Sequence, residues 1–167
     1  MRDKVDGILD AWRGQLPEIA GIELELSKRA GRLHTLLSDA AAAQLARFGL
    51  TKAEYDVLAV LRSSGEPHRL RPTDLTARLL LSSGGTSNVL RRLAAEGLIT
   101  READPGDARS TWVQLTRDGV TTADAAVLAS TEAQRTLLKA VPPDTARAAA
   151  DAMREVLLAL GDGQDRP

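Results

Sequence analysis

The stretch from Pro72 to Thr116 constrains the fold more than any other part of the chain. It runs PTDLTARLLLSSGGTSNVLRRLAAEGLITREADPGDARSTWVQLT. Two segments with apolar residues at helical spacing, separated by a Ser-Gly turn, predict two helices joined tightly. Two short runs rich in β-branched residues then flank Asp-Pro-Gly-Asp, which favours a β-hairpin. The stretch is therefore predicted to be a helix-turn-helix followed by a β-hairpin wing.

Composition points to a helical protein around this unit. The chain has 167 residues, 43% of them hydrophobic but only 2% aromatic, so a core must come from Leu, Ala and Val. That length fits one domain with appended elements, and such a core suits packed helices. The expected fold is mainly α with a small β-wing: a winged helix-turn-helix with N- and C-terminal dimerisation helices. The absence of cysteine excludes disulfides and thiolate metal sites.

The chain shows no targeting or membrane signal. Its opening, MRDKVDGILDAW, is charged throughout and lacks the apolar segment of a signal peptide. No uncharged apolar run approaches the roughly 20 residues that span a bilayer. We therefore expect a cytoplasmic protein without membrane contact. The net charge of -1 does not argue against nucleic acid, because binding needs only a local basic surface.

Helices are also predicted before the central unit. A short one is expected over 3–14, a long one from about Glu18 to Arg47, and a third after the capping box of Thr51 and Glu54. The long helix has an apolar stripe over seven turns, which suits either a core helix with surplus surface or a dimerisation helix. The segment from His68 to Arg71 is expected to add a third strand to the wing.

The helix over 83–96 is the candidate recognition helix. Val89, Leu90 and Leu93 are expected in the core, while a small polar face lies opposite. Asn pairs with adenine and Arg with guanine in the major groove, and small residues permit close approach. An alternative is that the Gly84-Gly85 pair only makes a tight interhelical turn. The expected contacts with bases and nearby phosphates are Ser83, Thr86, Ser87, Asn88 and Arg91, and those with phosphates alone are Arg92, Arg69 and Arg71.

The wing tip carries a second candidate contact. Asp107 and Arg109 lie two residues apart, so the carboxylate can orient the guanidinium for insertion into a minor groove. A surface ion pair of little consequence is the alternative.

Two more helices are predicted after the wing, over about Asp118–Ala140 and Thr145–Leu160. The last is expected to bury Ala149, Met153, Val156, Leu157 and Leu160 and to intertwine with the N-terminal helices in a C2 dimer. The expected division is 1–49 for dimerisation and a ligand pocket, 50–117 for DNA binding, 118–161 for dimerisation, and 162–167 as a disordered tail.

Two other classes of function are weighed against DNA binding. A winged helix that binds only proteins would present an apolar or acidic recognition face, unlike the face with Asn88 and Arg91. An enzyme is not expected, because His34 and His68 are the only histidines and no nucleophile, paired-His or phosphate-loop motif occurs. No catalytic residue, metal or cofactor is therefore expected.

The order of elements resembles the multiple antibiotic resistance regulator (MarR) family. The run from Asp104 to Gly119 is close to that family's wing signature DPxDxRxxxVxLTxxG, and Leu93 with Glu96-Gly97-Leu98-Ile99 matches the end of its recognition helix. Ala108 stands where many members have a second Arg. The resemblance implies a dimeric DNA-binding regulator, expected here to be a ligand-responsive repressor at a near-palindromic operator of double-stranded DNA.

The opening VDGILDAWRGQLPEI is similar to a subgroup that has an extra N-terminal helix and includes urate-responsive regulators. That similarity implies a small anionic or aromatic ligand such as urate. Trp12 and Asp56 match residues that serve the ligand there, whereas Val89 replaces a common Arg, and Arg78 and His34 complete the candidate set. For Trp12 the alternative role is a hydrophobic anchor for the first helix.

Overall fold

The computed structural model describes residues 2–79, 83–104 and 107–163, with 83–84, 104 and 107–110 described by their backbone only. The helices of this part are α1 (Lys4–Gln15), α2 (Ile22–Leu45), α3 (Lys52–Ser63), α4 (Pro72–Leu79), α5 (Ser83–Ala95), α6 (Arg117–Leu138) and α7 (Pro143–Ala159). Its strands are β1 (Arg69–Leu70), β2 (Ile99–Asp104) and β3 (Asp107–Leu115).

The helix-turn-helix and its wing form as the sequence predicts. Helices α3, α4 and α5 are followed by the antiparallel hairpin of β2 and β3. Strand β1 pairs with the other edge of β3, with Arg69 opposite Gln114, so the sheet order is β1-β3-β2. The prediction of a third wing strand is thus confirmed. Strand β2 continues as far as Asp104 and β3 begins at Asp107, so the strands extend into the Asp-Pro-Gly-Asp segment.

Local caps explain where several helices begin. The Thr51–Glu54 capping box is present at α3, directly after Gly49 adopts a left-handed φ of 69°. The predicted long helix is shorter than expected, since Pro17–Ile19 and Ala46–Phe48 form 3-10 turns at its two ends. The turn at the end of one helix and the cap at the start of the next together set the direction in which the chain continues.

An aliphatic core joins the winged helix to the terminal helices. Its members come from α2, the segment before α3, α3, α4, α5, the sheet and α6, and every one is aliphatic: Leu45, Leu50, Val57, Leu58, Leu61, Leu70, Leu75, Leu90, Leu93, Ile99, Val113, Leu115, Ala123 and Ala126. Phe48 and Tyr55 pack against this cluster from its margin. The composition therefore predicted the chemistry of the core correctly.

Helix α1 is attached to α2 by apolar and charged contacts. Val5 and Leu9 are buried, and Arg29 of α2 pairs with Asp3 and Asp6, each at 2.8 Å. Trp12 lies on the same helix with 41% of its surface exposed. Two aliphatic side chains and an ion-pair cluster thus hold α1, while its one aromatic residue faces outward.

The burial predicted for the last helix is wrong for the isolated chain. None of the side chains of α7, all of which the structure describes, is buried. Met153 is 39% exposed, Leu157 48% and Leu160 77%, while Val156 and Ala149 are also exposed. Together with α1 and α2, α7 borders an open groove of about 990 Å³. In the described part of the chain, no helix is long and apolar enough to cross a membrane.

Candidate nucleic-acid interface

The inner face of α5 fixes this helix on the core. Leu90 and Leu93 are buried among aliphatic side chains, and Val89 packs partly against them. The helix ends at Ala95, Gly97 follows with a φ of 71°, and the Leu98 N–H closes the turn by donating to the Leu93 carbonyl at 3.0 Å. A buried inner face and a fixed end leave the outer face to be presented to a partner.

The outer face of α5 is small, polar and basic. Ser87, Asn88 and Arg91 are exposed, and Arg91 donates a hydrogen bond to the side-chain oxygen of Asn88. These groups supply both donors and acceptors, which direct readout of base edges needs. The structure therefore brings three of the predicted contacts to one surface. Ser83 begins the same helix, but its side chain lies outside the described residues.

Thr86 corrects one prediction. It is only 2% exposed, and its hydroxyl receives a hydrogen bond of 3.3 Å from Thr76 of α4. A side chain in that position joins the two helices and is not available to a base edge. No sequence signal marks this burial, because a Thr one residue from Ser87 looks equally suited to the polar face.

Arg92 occupies a position that the sequence did not suggest. Its Nε lies 2.9 Å from Oε1 of Glu54, which is 1% exposed in the first turn of α3. A second carboxylate, on Glu96, lies 3.7 Å from its Nη2. Arg92, which the sequence predicted as a phosphate contact, thus also bridges α5 and α3. Its partner Glu54 lies 38 positions earlier in the sequence (92 minus 54).

Strand β1 places two further predicted contacts beside an aromatic ring. The guanidinium of Arg69 lies 4.7 Å from the centre of the Trp112 ring and that of Arg71 lies 5.0 Å from it. Such cation–π contacts hold a guanidinium in place without neutralising it. Sequence reasoning assigned no role to Trp112, although an aromatic residue in a wing strand beside a basic segment is a usable signal. The side chains of Asp107 and Arg109 lie outside the described residues.

The four candidate ligand residues are spread over four helices. Trp12 is on α1, His34 on α2, Asp56 on α3 and Arg78 on α4. Asp56 accepts from Lys52 Nζ at 2.5 Å, and His34 Nε2 lies 3.4 Å from the Ser38 hydroxyl oxygen. Among the described contacts, no hydrogen bond or ion pair links any two of the four residues. Within the described part of one chain, these four residues are therefore not in polar contact with one another.

A basic, polar recognition helix on an aliphatic core, flanked by a three-stranded wing, defines a winged helix-turn-helix of the DNA-binding class. Residues 48–110 match a model of the MarR family. The regulator PecS of Dickeya dadantii is 27% identical over 81% of each chain. An uncharacterized HTH-type regulator of Bacillus subtilis, YkoM, is 38% identical over 42% of this chain and 44% of its own.

Solved structures agree with these sequence matches. The MarR-family regulator Sco3205 of Streptomyces coelicolor, in complex with DNA, is 26% identical with a TM-score of 0.70, over 84% of this chain and 89% of its own. A MarR mutant from E. coli complexed with operator DNA shares the fold with a TM-score of 0.71 at 20% identity, over 87% and 97% of the two chains. Over residues 48–110 the chain matches the MarR family of winged-helix transcriptional regulators, as the wing signature predicted, and these relatives and structures agree with that match.

Proposed function

We propose that this chain is a homodimeric, ligand-responsive repressor that inserts α5 of each protomer into the major groove of a near-palindromic operator. The observation that carries this proposal is the exposed group of Ser87, Asn88 and Arg91 on a helix whose opposite face is buried. Arg and Asn at a helix surface are the side chains that read guanine and adenine. Two such helices related by a dyad reach half-sites about 34 Å apart.

Phosphate contacts supplement this reading of bases. Arg69 and Arg71 lie at the edge of the sheet beside Trp112, and the sequence adds Arg109 at the wing tip. Basic side chains beside the recognition helix anchor the protein to the backbone and fix its register on the duplex. We assign Ser83 to the same contact set from its place at the start of α5, with Asp107 orienting Arg109.

A second copy of the chain is the proposed occupant of the groove bordered by α1, α2 and α7. An apolar helix face as exposed as that of α7 marks an interaction surface in a water-soluble fold. In this arrangement, 1–49 and 118–161 form the dimer and 50–117 binds DNA. A ligand that changes the angle between protomers would alter the spacing of the two α5 helices, with coupling of about 1–3 kcal/mol on the usual scale.

Urate is the first ligand to test, on the strength of the resemblance of the N-terminal segment and of Trp12 and Asp56. Because the four candidate residues are separate within one chain, the proposed site needs the partner protomer or a closed form. We also propose that the exposed polar groups of α5 serve DNA binding, as in a transcriptional regulator, and not catalysis.

The proposal is tested by binding of purified full-length protein to DNA. The intergenic duplex beside its own gene is titrated, in parallel with duplexes selected from a random pool, at two salt concentrations. We expect competitor-resistant binding, a selected sequence with dyad symmetry, and weaker binding when urate is added. Binding without sequence preference would contradict the regulator, and binding unaffected by urate would contradict urate as the ligand.

A matched pair of variants locates the interface. Asn88→Ala should weaken binding to the selected duplex by about 1–3 kcal/mol and relax preference at one base position. Thr86→Ser keeps the buried hydroxyl and should bind like the parent protein. If the winged helix binds only proteins, Asn88→Ala should not change the affinity for the duplex.

A further inference from the structure

A buried carboxylate lies against the recognition helix. Glu54 is 1% exposed, and its Oε2 accepts both the Thr51 N–H at 2.7 Å and the Thr51 hydroxyl at 2.8 Å. These contacts complete the cap of α3. One oxygen of the carboxylate therefore serves the helix to which it belongs.

The other oxygen serves the recognition helix. Arg92 Nε lies 2.9 Å from Glu54 Oε1, on the helical turn that follows Asn88. A charge-assisted contact of this length is stronger than a neutral one, and a buried carboxylate is costly without such a partner. The pair thus ties α5 to the first turn of α3 at a defined distance.

Helix α3 is in turn tied to the proposed dimer helix α6. Arg62 of α3 contacts Asp124 of α6 through two nitrogens, at 2.7 and 3.3 Å. Val57, Leu58 and Leu61 of α3 share the core with Ala123 and Ala126 of α6. Helix α3 is therefore one of the connections between α5 and α6, and the Glu54–Arg92 pair is a charged contact at its recognition end.

We infer that Arg92 is a positioning residue, which orients the base-reading face of α5 through Glu54 instead of contacting a phosphate. The inference rests on the proposed DNA-binding function and deepens it. Without the pair, α5 is expected to tilt on its aliphatic base, so that its hydrogen bonds to base edges weaken. Contacts with phosphates carry no sequence information, so a tilt that weakens contacts with base edges is expected to reduce discrimination between sequences.

A positioning role and a phosphate-contact role of Arg92 predict opposite effects of replacing Glu54 on the affinity for DNA. Exchanging Glu54 for Gln removes a negative charge beside the DNA-binding surface, which by charge alone would strengthen binding. Loss of positioning would weaken it. Gln also serves at this position of a capping box, so the start of α3 is retained.

The experiment compares R92Q, E54Q and the double variant as full-length proteins. Each is titrated with a duplex selected for binding by the parent protein and with a scrambled duplex of equal length, over a range of salt. We expect R92Q and E54Q each to lose on the order of tenfold in affinity for the selected duplex. The double variant should lose little more than either alone, and the salt dependence and scrambled-duplex affinity should not change.

Two control variants accompany this cycle. R91Q is expected to weaken binding by an amount that adds to that of E54Q, since Arg91 meets Asn88 and not Glu54. K52Q breaks the Lys52–Asp56 pair, which is confined to α3, and should bind like the parent protein. Urea unfolding of every variant measures the folded fraction at the assay temperature, so that a simple loss of folded protein is recognised.

The outcomes separate this inference from the proposed function. If R92Q weakens binding to both duplexes alike and lowers the salt slope by about 0.9 for each phosphate that it no longer neutralises, Arg92 binds phosphate and the inference is overturned. Unchanged or tighter binding by E54Q overturns it as well. In both cases the parent protein still discriminates between the duplexes. If the parent protein does not discriminate, the proposed function and the inference fail together.

Discussion

Arg29 links α2 to the start of α1 by charged contacts, beside the buried Val5 and Leu9. It donates to Asp3 from Nε and to Asp6 from Nη2, both at 2.8 Å, and also pairs with Glu25 of its own helix. The hydrogen bond from Arg29 holds the pKa of Asp3 below its ordinary value, and the Asp6 N–H acts in the same direction. A lowered native pKa means that this interaction stabilises the fold above the ordinary Asp pKa of about 3.9 and disappears as pH falls through the native value.

Replacing Arg29 by Gln should therefore return the pKa of Asp3 toward its ordinary value. The carbon chemical shift of the Asp3 carboxyl, followed by NMR through an acid titration, measures this change. Arg32→Gln, one turn further along α2, removes the same charge and should leave the titration unchanged. An identical Asp3 titration in R29Q and the parent protein would contradict the role of Arg29 as the partner that lowers the pKa of Asp3.

The segment after α5 and the start of α6 approach each other closely. Thr116 caps α6 by accepting the Gly119 N–H at 2.9 Å, and its hydroxyl donates to the Gly97 carbonyl at 2.8 Å. A Cβ on Gly119 would lie 1.9 Å from the Leu98 carbonyl oxygen. Glycine is therefore needed here for close approach of two backbones, and the junction joins α5 directly to a proposed dimer helix.

Gly119→Ala should destabilise the protein by about 1–3 kcal/mol, because the added methyl group meets backbone that cannot rotate away. Gly31→Ala in α2 is the matched change, since among the described residues nothing lies within 4 Å of its Cβ. That variant should be more stable by about 0.5–1 kcal/mol, as expected for Ala in place of Gly within a helix. Urea unfolding measures both, and equal midpoints for the two variants would refute the close approach at Gly119.

At the scale of the whole molecule, the apolar face of α7 is a surface that the described part of the chain leaves uncovered. Met153, Val156 and Leu157 border the groove next to α1 and α2, and each is more than a third exposed. Apolar side chains that stay in water on one continuous face favour association with another surface. Their spacing of three and four places them on one side of the helix, where a second protomer would cover them.

The double variant Met153→Glu and Leu157→Glu should be monomeric, because burying two carboxylates at an apolar interface is unfavourable. Sedimentation equilibrium measures the mass, and affinity for the selected duplex should fall sharply as the two half-sites become independent. Arg147→Glu changes the charge on another side of α7 and should remain dimeric. A dimeric double variant would place the interface elsewhere on the molecule.

Local signals in the sequence were enough to predict the order of elements and most of their ends. Apolar spacing, the Thr51–Glu54 box and Gly49 act over a few residues, so each is visible in the chain without knowledge of the fold. The same kind of signal identified the wing and the outer face of α5. These signals also led to the family resemblance, which the match to the MarR model and the likeness to PecS confirmed.

Tertiary packing, by contrast, decides which side chains meet across elements. Three contacts join residues of different elements: the bridge from Arg92 to Glu54, the burial of Thr86 against Thr76, and the placing of Trp112 beside two arginines. Helical spacing predicts that α7 has an apolar face, but it does not say whether that face is covered within one chain. Such contacts depend on how elements pack, because a side chain's neighbours are set by geometry and not by its position in the chain.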